Sequence, residues 1–336
     1  MSSPAQGRLF SLYPDPTESP LFPLPIFVTG HGGMVGSAVL RQLAAMGIPG
    51  QQVITVNRPL LDLRDQSRVD EFFAVHRPRT VLGAAAKVGG ILANSRYPAE
   101  FLYDNLLLAT NTIQAAFRHG TERFLFLGST CVYPRDCPQP IREEYLLTAP
   151  LEATNEAYAL AKIAGLKLCQ YYRQQFGVVF HTAMPTNLYG PGDNFHPENS
   201  HVLPALVSRF CEAALTGAPE VTIWGTGKPR REFLHADDLA SALVHLLQVE
   251  DPPDWINVGT GKEIEILELA HLIAEIVGYR GRITTDPAKP DGTPGKRTDI
   301  SRISDLGWKP RIGLREGIEG FILDYKRQAA GQADRS

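Results

Sequence analysis

The sequence predicts an α/β protein: a doubly wound parallel sheet with a smaller, interleaved second region toward the C-terminus. Three observations carry that expectation. Short apolar runs alternate with longer segments of helical apolar spacing from Pro25 to about Tyr189. The first strand-to-helix junction is rich in glycine, "TGHGGMVG". Beyond Tyr189 the regular alternation gives way to segments punctuated by Pro and Gly.

In chain order, Pro14, Pro16, Pro20, Pro23 and Pro25 crowd the start, and residues 1–24 are expected to form a flexible arm outside the fold. "PIFVTG" is a short buried strand, and "SAVLRQLAAMG" is a helix that Gly47 stops. "QVITVN" is the second strand, followed by a helix over Ser67–His76 and the strand "TVLGAAA". A long helix over Pro98–Arg118 leads to the strand "RFLFLGS", and a helix over Asn155–Gln175 leads to "VVFHTAM". Later come the strand "VTIWG" and helices over Asp237–Leu247 and Leu267–Val277. The expected division is a cofactor domain over 25–190 with a return segment near 232–260, and a domain over 191–330 that mainly binds substrate.

The 336 residues are 43% hydrophobic with a net charge of -3, which supports a compact core and excludes the broad basic face of a nucleic-acid or anionic-membrane binder. Small molecules are the expected partners. No apolar run reaches the roughly 18 residues of a membrane span, and the start lacks the pattern of a signal peptide. Cys131, Cys137, Cys169 and Cys211 form no disulfide framework and no CxxC pair, so a reducing cytoplasm is expected. His196 and His201 lack the carboxylate or thiolate neighbours of a metal site, so no metal is expected.

Gly30, Gly33 and Gly36 stand at GxxGxxG spacing between the first strand and its helix. Glycines there let a backbone approach a pyrophosphate, whose charge rests on the free N–H groups of the helix N-terminus. A tight strand-to-helix turn is the plainer alternative. The second strand ends in Asn57 and Arg58 rather than the acid that binds NAD ribose, which favours NADP, with Arg58 either on the 2′-phosphate or solvated. Asp62 and Leu63 are expected along the adenine pocket, with a turn-capping role as the alternative for Asp62.

"YALAK" puts Tyr158 and Lys162 four residues apart, on one helical face. An ammonium and a nicotinamide charge nearby are expected to lower the phenol toward neutrality, so that Tyr158 acts as an acid while Lys162 holds the nicotinamide ribose. Ser129, at the end of the strand "RFLFLGS", supplies a second hydroxyl for the same substrate oxygen. Singly, the alternatives are a packed tyrosine with a surface lysine for the pair, and a small residue packing a turn for Ser129.

Together, the glycine turn with Ser129, Tyr158 and Lys162 resembles the extended short-chain dehydrogenase/reductase family of nucleotide-sugar epimerases, dehydratases and reductases. "AAAKVGGILAN", "STCVYP", "NEAYALAKIAGLKLC", "MPTNLYGPGDNFHPENSHVLPAL", "REFLH" and "KPDGTP" resemble its GDP-L-fucose synthase branch, from Ile26 to the last helix. The resemblance implies a Rossmann-type fold and an NADPH-dependent, two-step conversion of GDP-4-keto-6-deoxy-D-mannose: 3,5-epimerisation, then 4-keto reduction to GDP-L-fucose. It also implies a cytoplasmic homodimer formed through the helices containing Leu106 and Tyr158.

It further implies roles. Cys131 and His201 are the acid and base that invert C3 and C5, with Ser129 and Tyr158 on O4. His31, Gly32, Met34 and Val35 complete the cofactor turn; Pro185, Thr186, Asn187 and Leu188 pass the nicotinamide, and Lys162 and His201 also touch the cofactor. Lys87, Asn187, Arg209, Trp224, Arg231 and Asp291 meet the GDP-sugar. Their alternatives are a solvated lysine for Lys87, surface positions for Arg209 and Arg231, a core position for Trp224 and a turn aspartate for Asp291. Bacterial relatives often carry arginine where this chain has Gly32, and the N-terminal arm lies outside the pattern. A 4,6-dehydratase would carry acids where Thr130 and Cys131 stand. A single-step epimerase or reductase on a related GDP-keto sugar, and a non-catalytic NADP-binding regulator, are the rival readings.

Overall fold

The computed structural model describes residues 22–196, 200–289, 291 and 293–333. Most of the expected arm, and parts of "HPENSH" and "KPDGTP", lie outside them. The fold begins earlier than residue 25: Phe22 is 3% exposed within the core, and the Pro23 carbonyl accepts from Thr80 Oγ1 at 2.6 Å.

The first half runs β1 (Ile26–Thr29), α1 (Met34–Ala45), β2 (Val53–Ile54), α2 (Gln66–His76), β3 (Thr80–Gly83), α3 (Ile91–Arg96), α4 (Pro98–Arg118), β4 (Arg123–Leu127), α5 (Glu156–Phe176) and β5 (Val179–Pro185). The second half runs β6 (Asn187–Tyr189), α6 (Val202–Thr216), β7 (Glu220–Trp224), β8 (Arg230–His235), α7 (Ala236–Gln248) and β9 (Trp255–Val258). It continues with β10 (Glu263–Glu265), α8 (Ile266–Val277), β11 (Arg282–Asp286), α9 (Ser301–Asp305) and α10 (Leu314–Ala333).

The main sheet is parallel throughout, in the order β2-β1-β3-β4-β5-β9. The chain leaves β1 toward one edge and returns to its other side, so the crevice beyond the carboxyl end of β1 is the point where such sheets bind ligands. Val39 and Leu43 of α1 and Leu239, Leu243 and Leu246 of α7 cover one face; Phe73, Ile113, Phe124 and Phe180 fill the other, beneath α2, α4 and α5. Each side chain buried this fully contributes about 1.5–3 kcal/mol relative to exposure.

Among the elements that differ from expectation, two have a clear physical cause. The second strand is only Val53–Ile54, because the edge position offers it one neighbour and the Asn57 carbonyl turns the chain by accepting from Leu60 N (2.9 Å) and Leu61 N (3.1 Å). α6 was not among the predicted helices, since Pro204 reads as a breaker; here it sits in the first turn, where a missing N–H costs nothing.

The second region contains the sheet β10-β8-β6, the parallel pair β11-β7, and a core of Leu203, Leu206, Phe210, Ile273 and Phe321 beneath α6, α8 and α10. α7 and β9 return to the main sheet. So does a later segment: Ile303 and Trp308 pack with the α7 core, and Trp308 Nε1 donates to Ser241 Oγ at 2.9 Å. Glu232 clasps these crossings. Fully buried, its carboxylate accepts from Thr260 N (2.5 Å) and Gly261 N (2.8 Å) on one oxygen, and from Thr298 N (2.7 Å) and Thr298 Oγ1 (2.8 Å) on the other.

Candidate active site

Gly30 and Gly36 are present for space. Gly30 has φ +65°, and a side chain there would lie 2.9 Å from the Ala85 backbone; at Gly36 a Cβ would stand 2.2 Å from the Gly30 carbonyl oxygen. Gly33 precedes α1 and offers its N-terminus no side-chain cap, so the first-turn N–H groups, beginning at Met34 and Val35, are left for a ligand. These features fit a dinucleotide pyrophosphate. Nothing stands within 4 Å of the Cβ position at Gly32, so that residue is not required by packing. Gly36→Ala is expected to weaken NADPH binding at least tenfold and to destabilise the protein by about 1–3 kcal/mol through overpacking. Fluorescence titration and urea unfolding check both; parent-like binding in the alanine variant would reject the close approach.

At the adenine side, Arg58 is 71% exposed and only loosely paired to Asp62 (3.6 Å), which leaves its guanidinium available. Asp62 caps its own turn by accepting from Arg64 N at 3.0 Å, and its carboxylate is paired with Arg64 at 2.7 Å; that pairing holds its pKa down to about 2. Leu63 is buried in the core beneath α2 and α4, so the side chain serves packing and only its backbone can border the pocket.

Ser129 follows β4 and caps a short 3-10 turn over Thr130–Val132. Its Oγ accepts from Cys131 N at 3.2 Å, which leaves the hydroxyl proton free to donate. Tyr158 and Lys162 lie one turn apart on α5. Lys162 is 3% exposed; its Nζ donates to the Leu127 carbonyl at 2.6 Å and sits 4.8 Å from the Phe126 ring centre and 5.7 Å from that of Tyr158. Burial pushes the ammonium down from 10.5 to about 7. It also pushes the Tyr158 phenol up, with the nearby Cys131 adding to the shift. The expected lowering of Tyr158 is therefore not produced by the protein alone, because Lys162 is itself too desolvated to supply it. A phenol that keeps its proton is the correct state for an acid that must donate one.

The depressed Lys162 has a stability consequence. Between about pH 7 and 10.5 the folded chain has lost a proton that the unfolded chain retains. The cost of burying the amine is therefore full below pH 7 and fades as the pH rises. Lys162→Met is expected to stabilise the cofactor-free protein by on the order of 2 kcal/mol at pH 6.5, with the gap closing toward pH 10. Urea unfolding across that range decides it, and a gap that widens with pH would contradict the assignment.

His201 is the N-cap residue of α6, and its side chain makes no cap bond to its own helix. Desolvation lowers its imidazole below the ordinary value. Pro185 ends β5 and Thr186 N donates to the Val258 carbonyl at 3.0 Å; Asn187 Nδ2 donates to the Glu232 carbonyl at 2.9 Å, and Leu188 packs on the main core.

On the substrate side, Trp224 is 50% exposed, not in the core, and presents its face between Arg209 (5.9 Å) and Lys289 (5.5 Å). Arg209 donates to the Thr222 carbonyl, and Arg231 donates to the carbonyls of Arg230 and Thr293; burial lowers the pKa of both. Asp291 has the turn role foreseen as its alternative, accepting from Thr226 N (2.9 Å) and Thr226 Oγ1 (2.7 Å). Lys87 is not a free cation: its Nζ is held by Glu100 at 2.5 Å and Asp104 at 3.1 Å. Sequence reasoning passed over Lys289 and Lys296, although both flank "PDGTPG"; Lys296 Nζ lies 4.0 Å from Cys131 Sγ. Among the described residues no group of three His, Cys, Asp or Glu could hold a metal.

Comparison with known proteins agrees with this geometry. The chain is 54% identical over 293 residues to GDP-L-fucose synthase 1 of Arabidopsis thaliana, covering 87% of this chain and 90% of that one. It is 49% identical over 302 residues to GDP-L-fucose synthase of Escherichia coli K12, covering 87% and 94%. A crystal structure of a GDP-L-fucose synthetase from Naegleria fowleri bound to NADP superposes with a TM-score of 0.81 at 29% identity, over 91% of this chain and 93% of that one. Residues 26–259 match the NAD dependent epimerase/dehydratase family. With the glycine turn, the parallel sheet and the Tyr158–Lys162 pair in place, the chain belongs to that family.

Proposed function

We propose that this protein converts GDP-4-keto-6-deoxy-D-mannose to GDP-L-fucose with NADPH, inverting C3 and C5 and then reducing C4. The observation that carries this reading is the juxtaposition of Cys131 with Ser129 and Tyr158: reduction needs only the hydroxyls and Lys162, whereas a thiol beside them is a proton carrier. The 49–54% identity to GDP-L-fucose synthases supports the choice of sugar.

Protons on C3 and C5 are acidic because both carbons adjoin the C4 carbonyl. Ser129 and Tyr158 hold O4 and stabilise the enolate that forms when either proton leaves. Of Cys131 and His201, the one in its basic form removes a proton on one face, and the other, in its protonated form, returns one on the opposite face. Bound NADPH supplies hydride to C4. Tyr158 then gives its proton to O4, and Lys162 holds the ribose with the N–H donors that Leu127 does not use. Arg209 and Arg231 suit the diphosphate, and the half-exposed indole of Trp224 suits an apolar or planar group.

The test is NMR of the product formed in deuterated water. Deuterium at C3 and C5 of GDP-L-fucose, with NADPH consumed, supports the reading; reduction without deuterium leaves a simple 4-reductase. A homodimer is proposed through α4 and α5, whose outer surfaces expose Tyr103, Leu160, Tyr171 and Phe176. Sedimentation equilibrium should give twice the chain mass, and a species of single-chain mass at micromolar concentration would reject it. No helix among the described residues is long and apolar enough to cross a membrane, and the four cysteines are free, which suits a cytoplasmic setting.

A further inference from the structure

We propose that Lys296 is a positioning residue for Cys131, its ammonium pairing with the thiolate that removes the sugar proton. The inference rests on the reading of Cys131 as a proton carrier and adds a residue to it.

Lys296 Nζ lies 4.0 Å from Cys131 Sγ although 165 residues separate them in sequence. The approach is built by fixed backbone on both sides. Ile141 pairs with Thr298 in a parallel bridge, with Ile141 N donating to the Arg297 carbonyl (2.7 Å) and Asp299 N to the Ile141 carbonyl (2.8 Å). Gln139 Oε1 accepts from Arg297 N at 2.8 Å, and the buried Glu232 carboxylate takes both Thr298 donors. Cys131 is set by its own N–H bond to Ser129, with Val132 fully buried beneath it. A loop lysine seated this firmly is not an ordinary solvated side chain.

Charge gives the pairing its purpose. Among the described residues no carboxylate forms an ion pair with Lys296; its ammonium points at the Cys131 thiol, and its charge also reaches Cys137. The other charged and titratable groups near Cys131 are Arg231, which senses its charge, and the Tyr158 phenol. Only the thiolate can remove a carbon-bound proton, and a thiolate in a half-buried loop is held by an adjacent cation. In the step itself, sulfur takes the proton, the C–H electron pair becomes the enolate on O4, and Cys131 becomes a neutral thiol. Lys296 keeps its proton throughout.

The experiment measures iodoacetamide alkylation of Cys131 in the free protein at pH 7. Trypsin separates Phe124–Arg135, which contains Cys131, from Asp136–Arg142, which contains Cys137, so mass spectrometry reads each thiol alone. Lys296→Met is expected to slow alkylation of Cys131 about tenfold, while Lys296→Arg keeps the rate within about threefold. NADPH affinity should be unchanged in both, which guards against misfolding. Parent-like alkylation in Lys296→Met would overturn the proposal, and a raised KM for the GDP-sugar alongside it would make Lys296 a diphosphate contact. That outcome is distinct from failure of the proton-carrier reading, which would appear as undiminished deuterium exchange in Cys131→Ser.

Discussion

Tyr158→Phe is expected to lower kcat for reduction by about 10³–10⁴-fold while leaving NADPH affinity within about twofold. The variant removes one oxygen and keeps the ring, so the packing around α5 survives. Lys162 is anchored independently through the Leu127 carbonyl at 2.6 Å and should continue to hold the ribose. What disappears is the proton for O4. Burial holds the Tyr158 phenol above its ordinary value, so the enzyme begins the step with the donor protonated and charge develops on O4 only as hydride arrives. Ser129 cannot replace it, since its hydroxyl is a hydrogen-bond donor far too weak as an acid to release a proton at neutral pH. Epimerisation should suffer less, by about 10–100-fold, because Ser129 still stabilises the enolate. Stopped-flow absorbance of NADPH reads the first effect and deuterium exchange at C3 and C5 the second. NADPH oxidation within tenfold of the parent would remove Tyr158 from the role of acid.

Residues whose role follows from local geometry were legible in the sequence. Gly30 and Gly36 announce a close backbone approach because no other residue fits, and the four-residue step from Tyr158 to Lys162 places both on one helical face whatever the tertiary context. Long amphipathic helices such as α4 were legible for the same reason. Residues whose role depends on distant parts of the chain were not. The depressed Lys162 amine requires Phe126 and Leu127 from the neighbouring strand to desolvate it. The pairing of Lys87 with Glu100 and Asp104 brings two carboxylates from α4 to a strand end, and nothing in "AAKVGG" signals it. Trp224 illustrates the limit from the other side: an indole in a strand reads as core, but in β7 Val221 and Ile223 take the inward positions and the alternation puts Trp224 on the exposed side. The shortness of β2 and the helix that tolerates Pro204 are also matters of context, an edge with one partner and a proline in a first turn.

Cys131→Ser is the complementary experiment, and it separates two chemistries in one site. The substitution is nearly isosteric, and the 3-10 turn is held by the Cys131 backbone N–H to Ser129, so the turn should persist. A thiol ionises within reach of neutral pH, whereas an alcohol does not, and a hydroxyl therefore cannot take a proton from carbon. Exchange at both C3 and C5 is expected to fall by about 10²–10⁴-fold, with NADPH affinity unchanged, because inversion at either carbon uses the thiol on one face and His201 on the other. Hydride transfer itself does not use the thiol, so prolonged incubation should yield a C4 alcohol that retains substrate configuration at one or both carbons. Equal, parent-like labelling at C3 and C5 would return Cys131 to the role of a small packing residue and leave His201 as the only proton carrier. Loss of NADPH binding together with exchange would instead mean that the turn had collapsed, and Cys131→Ala, which removes the heteroatom and keeps the backbone bond, would then distinguish packing from chemistry by whether binding returns.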